Sequence, residues 1–403
     1  MGIRNFLIDI ITKTFLIDDE DKMKIIILGA DGYLGWPMSV DLALDKHNLM
    51  LVDNYVKRSL MKKLGRNPIK NLPKLEVRIK KLKRFNKNIR FSKTDCSNLK
   101  EFSTLFRKFK PDAVIHFAEL PSAPFSMMGS SEGWFTLENN LKSTFNLAHC
   151  VRKYNPSCHI IKLGTMGEYG TPNIDIEEGW LKVLHNKRKQ KFLYPRQASS
   201  LYHTSKIMDT DLLWFYVRTH GIKVTDLMQG PVYGINTNSI TEEYNLHPLF
   251  TYDDIFGTVL NRFIVQAVAK TPLSIYGSGN QVRGYINIKD TINCIKLALK
   301  NEPKQGELNI YNQFTEQFSV NELAKNIISS LNEIDIFATT KKISNPRIEK
   351  EKHYYNAKNV NMKKLGLKPT KLSKKIIIEM AQYVIKNKKN INRSIIQPKI
   401  LWR

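Results

Sequence analysis

The sequence predicts an α/β fold in which a doubly wound parallel sheet is joined to a smaller α+β domain. Short apolar runs alternate with segments of helical periodicity through the first half of the chain. This alternation is typical of a parallel sheet with helices on both faces. A glycine-rich turn follows the first apolar run, and after residue 235 the alternation loosens. These observations place the sheet in the N-terminal half and a second unit after it.

The same pattern divides the 403 residues into three parts. We expect an N-terminal extension over residues 1–22 and a dinucleotide-binding domain over residues 23–235, to which the segment 283–300 returns. Residues 236–403 are expected to form the smaller, substrate-binding domain. A chain of this length is long enough for two packed units.

Charge and composition restrict the function classes. Lys and Arg number 63 against 37 Asp and Glu, a formal charge of +26. Such a field attracts nucleic acid, anionic lipid or phosphorylated metabolites, or it reflects a Lys-rich composition on solvated faces. The four cysteines form no C-x-x-C pair, so neither a disulfide framework nor a metal site is expected. No apolar run approaches the roughly 20 residues of a transmembrane helix. No secretory pattern is evident, and a cytoplasmic location is expected.

The first apolar run, Lys24–Leu28, leads into the turn Gly29-Ala-Asp-Gly-Tyr-Leu-Gly35 and then into a helical pattern. The next predicted strand ends at Asp53, 24 residues after Gly29. A G-x-x-G-x-x-G turn between a strand and a helix lets the backbone approach a pyrophosphate at the helix N-terminus. The sequence therefore predicts a Rossmann-type domain that binds a dinucleotide. An acid at position 53 favours NAD over NADP, because it repels the extra phosphate.

Four further apolar runs continue the predicted sheet, at residues 89–91, 113–117, 158–163 and 224–228. Ligands bind at the carboxyl ends of such strands. The residues expected to contact the cofactor lie in the glycine turn, at the strand ends and on two helices; they are Gly29, Asp31, Gly32, Tyr33, Leu34, Gly35, Asp53, Asn54, Arg58, Asp95, Cys96, Phe117, Ala118, Glu119, Asn140, Tyr202 and Lys206.

Residues 56–90 are unusually basic and interrupt the alternation. Leucines and isoleucines interleave with the lysines at helical spacing, which favours a helical insertion with a solvated basic face. The alternative is a polyanion-binding patch, although the aromatic residues typical of single-strand binders are almost absent here.

Thr165, Tyr202 and Lys206 are the predicted centre of the chemistry. Thr165 follows a predicted buried strand, and Tyr202 and Lys206 are four residues apart, which places them on one face of a helix. A nearby ammonium group is expected to lower the pKa of a tyrosine. These groups are suited to removing a proton from a hydroxyl while a cofactor accepts the hydride.

With these motifs the chain resembles the nucleotide-sugar epimerases and dehydratases of the extended short-chain dehydrogenase/reductase superfamily. Within that group it is similar to the UDP-sulfoquinovose synthase family. The stretches that carry the similarity are residues 30–36, 116–119, 122–127, 162–179, 197–200, 312–323, 345–347 and 353–358. The similarity extends from about residue 23 to 402, and the stretch 162–179 is far more specific than the superfamily motifs.

The resemblance implies conversion of UDP-glucose and sulfite to UDP-sulfoquinovose through a 4-keto-5,6-ene intermediate, with bound NAD that is regenerated. In the related dTDP-glucose 4,6-dehydratases an Asp-Glu pair follows the Thr, whereas Met166 and Gly167 stand here. Glu168 and His203 are the nearest replacements for the acid and base. The alternatives are that Glu168 is a paired structural acid and that His203 lies on a helix surface. Plant-type members carry an Arg where this chain has Pro121, so anion contacts are expected elsewhere.

Substrate contacts are expected from the turn after Thr165 and from the second domain, where spread arginines suit bidentate binding of a diphosphate. The predicted residues are Thr165, Met166, Gln197, Gln229, Thr258, Asn261, Arg262, Tyr276, Gln281, Arg283 and Arg347.

Two other functions remain open at this point. A UDP-glucose 4-epimerase or related dehydratase needs only Thr165, Tyr202, Lys206 and NAD. A non-catalytic RNA-binding member of the superfamily would explain the charge but need not keep the catalytic residues, so no nucleic-acid partner is expected. Sulfite arrives free or from a donor protein, and a homodimer or homotetramer is expected by analogy with the superfamily.

Overall fold

The computed structural model describes residues 22–239, 246–347 and 354–399. The predicted extension lies outside the described residues except for Lys22, as does His353 of the similarity stretch 353–358. Across these three ranges, none of the helices combines the length and the apolar character that crossing a membrane requires.

A seven-stranded sheet with all its strands parallel forms the centre of the molecule, in the order β12-β8-β5-β4-β1-β2-β3. Its strands are β1 Lys24–Leu28, β2 Asn48–Val52, β3 Ile89–Ser92, β4 Ala113–His116, β5 His159–Thr165, β8 Lys223–Gln229 and β12 Leu308–Gln313. In β1 the four residues after Lys24 are fully buried. A strand that is apolar on both faces needs helices on both sides, and this confirms the predicted doubly wound sheet.

Helices flank the sheet and connect its strands. In the N-terminal part they are α1 Gly35–Leu44, α2 Val56–Lys63, α3 Leu75–Leu82, α4 Leu99–Phe109, α5 Ala123–Ser126, α6 Ser130–Tyr154 and α7 Leu201–His220, with a 3₁₀ turn over Met166–Glu168. In α4 the buried residues Phe102, Phe106 and Phe109 recur at helical spacing and pack under the sheet.

A smaller α+β unit follows. Its strands are β9 Val232–Tyr233, β10 Leu273–Tyr276, β11 Val282–Asn287, β13 Glu316–Ser319 and β14 Thr340–Ile343. Its helices are α8 Val259–Val268, α9 Ile288–Lys300, α10 Val320–Asn332, α11 Asn361–Lys364 and α12 Lys374–Lys386, with 3₁₀ turns over Lys388–Asn390 and Arg393–Ile395. Residues of α8, α10 and α12 share one apolar core. Helix α9 lies in the predicted return segment 283–300 and contributes Ile288, Ile292 and Ile295 to the core of the main sheet.

Two segments differ from the sequence-based expectation. Residues 308–313 were assigned to the substrate-binding domain, but β12 pairs with β8 at the edge of the main sheet. The second is a hairpin of β6 Trp180–His185 and β7 Arg188–Leu193, which was not predicted. Most of its residues are exposed, so it lacks the apolar alternation that identifies a half-buried strand.

The basic insertion forms two helices, α2 and α3, as its periodicity predicts. Leu75, Ile79 and Leu82 of α3 are buried, whereas Lys80 and Lys81 are exposed. Arg78 is the exception among the basic residues of α3, because it turns inward and is buried.

Candidate active site

A cavity of about 810 Å³ lies where the carboxyl ends of the central strands meet the smaller unit. Gly29 after β1, Asp53 after β2 and Thr165 at the end of β5 line it from the sheet. Arg262 and Arg283 line it from the smaller unit. This is the location at which open parallel sheets bind ligands.

The glycine turn forms one wall of the cavity. Gly29 has a φ of +77°, and a Cβ added to it would lie 2.7 Å from the carbonyl carbon of Phe117. Only glycine permits this conformation and this close approach. The backbone of the turn therefore borders the cavity without an intervening side chain, which fits the binding of a dinucleotide diphosphate.

Asp53 lines the cavity beside this turn. Its two carboxylate oxygens accept hydrogen bonds from the backbone N–H of Asp31, at 2.9 Å, and of Tyr55, at 2.7 Å. Burial, and then the charge of Asp31, raise the pKa of Asp53 to about 6. The carboxyl group is therefore fixed at the end of β2.

Most residues predicted to contact the cofactor line the cavity. They are Gly29, Asp31, Gly32, Tyr33, Leu34, Gly35, Asp53, Asn54, Arg58, Asp95, Cys96, Phe117, Ala118, Glu119 and Tyr202. Asn140 and Lys206 lie behind the wall instead. The Asn140 side chain accepts from the Leu120 N–H at 2.8 Å and donates to Ser205 at 2.9 Å, so it connects α6 to α7.

Thr165 and Tyr202 face the same cavity. The Thr165 hydroxyl begins the 3₁₀ turn by accepting from the Gly167 N–H at 3.1 Å. Tyr202 is near the start of α7, where its N–H donates to Ser126 at 3.0 Å. The strand end and the helix start thus place Thr165 and Tyr202 on the wall of one cavity.

Lys206 differs from the prediction in its partner. Its ammonium group is buried and donates to Glu119, and a carboxylate oxygen of Asp209 is 3.8 Å away. Burial, and then the charges of Glu119 and Glu168, raise the pKa of Tyr202. The expected lowering of this pKa by Lys206 is therefore not found, because burial raises the pKa of Tyr202 and the ammonium group of Lys206 is paired with Glu119.

Glu168 does not line the cavity. It is fully buried, and its carboxylate accepts from the Thr165 N–H at 3.1 Å. Lys162 and Arg196 lie 3.4 Å and 3.3 Å from it. Lys162 also pairs with Asp226 at 3.1 Å. This placement corrects the assignment of Glu168 as an acid or base and favours the structural alternative, in which Glu168 holds the turn that carries Thr165.

His203 is on the cavity wall and not on a helix surface. Its Nδ1 is 3.0 Å from the Ser200 hydroxyl. A Cβ added to Gly167 would lie 2.3 Å from His203 Nε2, so the imidazole fills the space that a side chain at 167 would need. Burial, and then the charges of Arg347 and Arg283, lower the pKa of His203 to about 3. The ring is therefore uncharged, and it lies beside Tyr202 and Gly167.

The predicted substrate contacts also converge on the cavity. Thr165, Met166, Gln197, Gln229, Thr258, Asn261, Arg262, Tyr276, Gln281, Arg283 and Arg347 all line it. Three arginines in one cavity suit a diphosphate. Tyr355, which the sequence analysis did not single out, lines it as well. Tyr355 lies in the stretch 353–358 that carries the family similarity, and this was the feature of the sequence that could have identified it as a cavity residue.

Comparison with known families now adds to this geometry. A match to the NAD dependent epimerase/dehydratase family covers residues 25–312, more than half of the chain. The chain belongs to this family. The predicted family and the use of NAD are thereby confirmed.

Two relatives in this family are similar over almost the whole chain. UDP-sulfoquinovose synthase of Spinacia oleracea, a chloroplastic protein, is 39% identical over 383 residues, covering 95% of this chain and 80% of the relative. UDP-sulfoquinovose synthase of Sulfolobus acidocaldarius is 38% identical over 385 residues, covering 94% and 98%. These matches confirm the resemblance to the UDP-sulfoquinovose synthases.

Solved structures confirm the fold. UDP-glucose 4-epimerase from Bifidobacterium longum, in complex with NAD⁺ and UDP, superposes with a TM-score of 0.68 at 19% identity, covering 91% of this chain and 100% of that chain. UDP-glucuronic acid 4-epimerase from Bacillus cereus, in complex with UDP-glucuronic acid and NAD, gives 0.66 at 20% identity, covering 90% and 99%.

Proposed function

We propose that this enzyme converts UDP-glucose and sulfite to UDP-sulfoquinovose with NAD that it regenerates in each turnover. The observation that carries the proposal is the 39% and 38% identity, over 95% and 94% of the chain, to two proteins named UDP-sulfoquinovose synthase. The site supports it, because an uncharged histidine lines the same cavity as the Thr and Tyr that we assign to oxidation at C4.

The first step needs a base for the 4-hydroxyl of the sugar. Bound NAD supplies a reversible hydride acceptor for C4. Tyr202 takes the proton of the 4-hydroxyl, and Thr165 hydrogen-bonds the same oxygen. An ammonium group has three N–H donors, so Lys206 has donors beyond the one shared with Glu119, and we assign it to stabilising the Tyr202 phenolate.

The second step is elimination across C5 and C6, and it needs a separate acid or base. We assign His203, because its uncharged imidazole can accept a proton and lies in the cavity beside Tyr202. His203 takes the C5 proton and passes it to the C6 oxygen as the C6–O bond breaks, so that the hydroxyl departs as water. The sulfur lone pair of bisulfite then bonds to C6, and His203 transfers the bisulfite proton to C5. Return of the hydride to C4 and of the Tyr202 proton to the C4 oxygen completes the product.

Sulfite and the nucleotide diphosphate are both anions, and the cavity has matching charges. Arg262, Arg283 and Arg347 line it on the side of the smaller unit. We assign these arginines to the diphosphate, since a planar guanidinium can donate two parallel hydrogen bonds to it. Pro121 also lines the cavity, so the position that holds an Arg in plant-type relatives supplies no charge here.

A UDP-glucose 4-epimerase is the alternative, and the fold of the two 4-epimerases above accommodates it. Incubation with UDP-glucose in the absence of sulfite separates the two functions. The proposed synthase forms little UDP-galactose under these conditions, which chromatography of the nucleotide sugars would detect. Rapid and complete equilibration to UDP-galactose would contradict the proposal.

We further propose that the enzyme assembles as a dimer or tetramer. The helices α6 and α7 expose several large apolar side chains, among them Trp134, Phe145 and Phe215, with 65%, 42% and 46% of their surface accessible. Light scattering during size-exclusion chromatography would test this, and a monomer at micromolar concentration would contradict it.

A further inference from the structure

The insertion between β2 and β3 attaches two arginines to the glycine turn. Arg58 of α2 donates two hydrogen bonds to the Asp31 carboxylate, one from Nε and one from NH2, and the bond from NH2 is 2.8 Å long. Arg78 of α3 donates from NH2 to the same carboxylate. Asp31 is the second residue after Gly29, so one side chain of the turn holds both helices of the insertion.

An acid in a turn that faces a diphosphate is unfavourable by itself. A carboxylate and a phosphate repel each other, and the repulsion is stronger in a partly buried site than in water. Here two guanidinium groups face the Asp31 carboxylate, and the charge of Arg58 also acts on the neighbouring Asp53 carboxylate, so both acids beside the turn are compensated. The two arginines therefore remove much of the repulsion that these acids would exert on a dinucleotide diphosphate.

The cluster is preorganised. Asp31 and Arg78 are 4% and 5% accessible, and the Arg78 guanidinium lies 4.2 Å from the centre of the Trp36 ring. Arg58 also donates from NH1 to the Leu72 carbonyl at 2.6 Å. A second connection joins the same segments, because the Tyr55 hydroxyl donates to Glu76 at 2.6 Å. Charges fixed in this way need no rearrangement when a ligand binds.

We propose that the insertion is a cofactor clamp, in which Asp31 latches α2 and α3 onto the glycine turn through Arg58 and Arg78 and so slows the release of NAD. A cofactor that is regenerated within each turnover has to stay bound between the two hydride transfers. The clamp depends on NAD binding and not on which sugar reacts, so its failure would leave the proposed synthase activity untouched.

Arg58→Met and Arg78→Met test the clamp. Each removes one charge and its hydrogen bonds but retains an apolar stem. Lys80→Met is the matched control, because Lys80 is on α3, carries the same charge and is exposed. The measurement is the rate at which prebound NADH is displaced by excess NAD, followed by NADH fluorescence. We expect at least tenfold faster release for both arginine variants and a rate within twofold of wild type for the control. Wild-type release from both arginine variants would overturn the proposal.

A second measurement needs no variant, which matters because Arg78 is buried. Amide hydrogen exchange of Leu75–Leu82 is compared in the wild-type protein after removal of NAD and after its addition. The clamp predicts slower exchange of α3 when NAD is present, whereas the exposed hairpin β6–β7 serves as the internal control and is unchanged. Equal exchange of α3 in the two states would overturn the proposal.

Discussion

Tyr202 carries the hydroxyl on which the proposed oxidation depends. Tyr202→Phe keeps the ring but removes the group that accepts the proton, so we expect at least a 10²-fold loss of both NADH formation on adding UDP-glucose and product formation. Tyr216→Phe is the control, because Tyr216 is buried on the same helix but does not line the cavity. Wild-type activity of Tyr202→Phe would refute the first step.

His203 is assigned to the elimination across C5 and C6, so removing its side chain should separate this step from the oxidation at C4. We expect His203→Ala to form NADH on meeting UDP-glucose but to yield at least 10²-fold less sulfonated product. Gly167→Ala should have the same direction of effect, because its Cβ displaces the His203 ring. Absorbance of NADH at single turnover, measured beside product mass, checks both variants. Sulfonate formation by His203→Ala at the wild-type rate would show that the assignment is wrong.

The pH dependence of this step follows from the direction of the pKa shift. Since the pKa of His203 is lowered to about 3, the ring stays neutral as the pH falls from 8 to 5. An unperturbed histidine, with a pKa of about 6.5, would lose its basic form over this range. The rate of sulfonate formation should therefore show no His203-dependent decrease above pH 5.

At the scale of residues, the sequence predicted which side chains line the cavity better than it predicted which buried charged residues pair with each other. Thr165, Tyr202 and the other residues predicted to bind the substrate line one cavity, and strand ends at one edge of a parallel sheet make such a grouping predictable. The pairing of Lys206 with Glu119, 87 residues apart, could not, because no local periodicity records which buried charges meet. The burial of Glu168 against Lys162 could not be predicted for the same reason.

Strand β5 and the turn that follows it are held by a buried group of charges. Glu168→Gln removes the carboxylate that faces Lys162 and Arg196. Breaking a buried pair typically costs about 3–5 kcal/mol, so we expect a lower free energy of unfolding by urea. Glu138→Gln, which breaks the exposed pair with Lys142, should change stability far less.

The same variant distinguishes a structural role from a catalytic one. If Glu168 only holds the turn, the folded fraction of Glu168→Gln should divide its turnovers between NADH formation and sulfonate as the wild type does. Accumulation of NADH without sulfonate would restore Glu168 as an acid or base.

At the scale of elements, buried strands such as β1 were predictable from their apolar runs. Strand β12 has a polar sequence and lies at a sheet edge, so only its pairing with β8 in the structure identifies it.

The charge of the whole molecule has a structural explanation that does not require a nucleic acid. The basic residues of α3 other than Arg78 face solvent, and the arginines of the cavity suit small anions. We therefore expect short RNA to bind weakly and with a steep decrease as salt rises. A filter-binding or anisotropy titration over salt concentration checks this. Nanomolar affinity at physiological salt would instead support a nucleic-acid partner.

The central claim is that the enzyme forms a carbon–sulfur bond with a cofactor that it regenerates. Its most direct test is mass spectrometry of the nucleotide sugar formed from UDP-glucose and isotopically labelled sulfite, with no NAD added beyond what the protein retains. The account predicts labelled UDP-sulfoquinovose in an amount that exceeds the enzyme many times over. Recovery of only UDP-glucose and UDP-galactose, without the sulfur label, would contradict it.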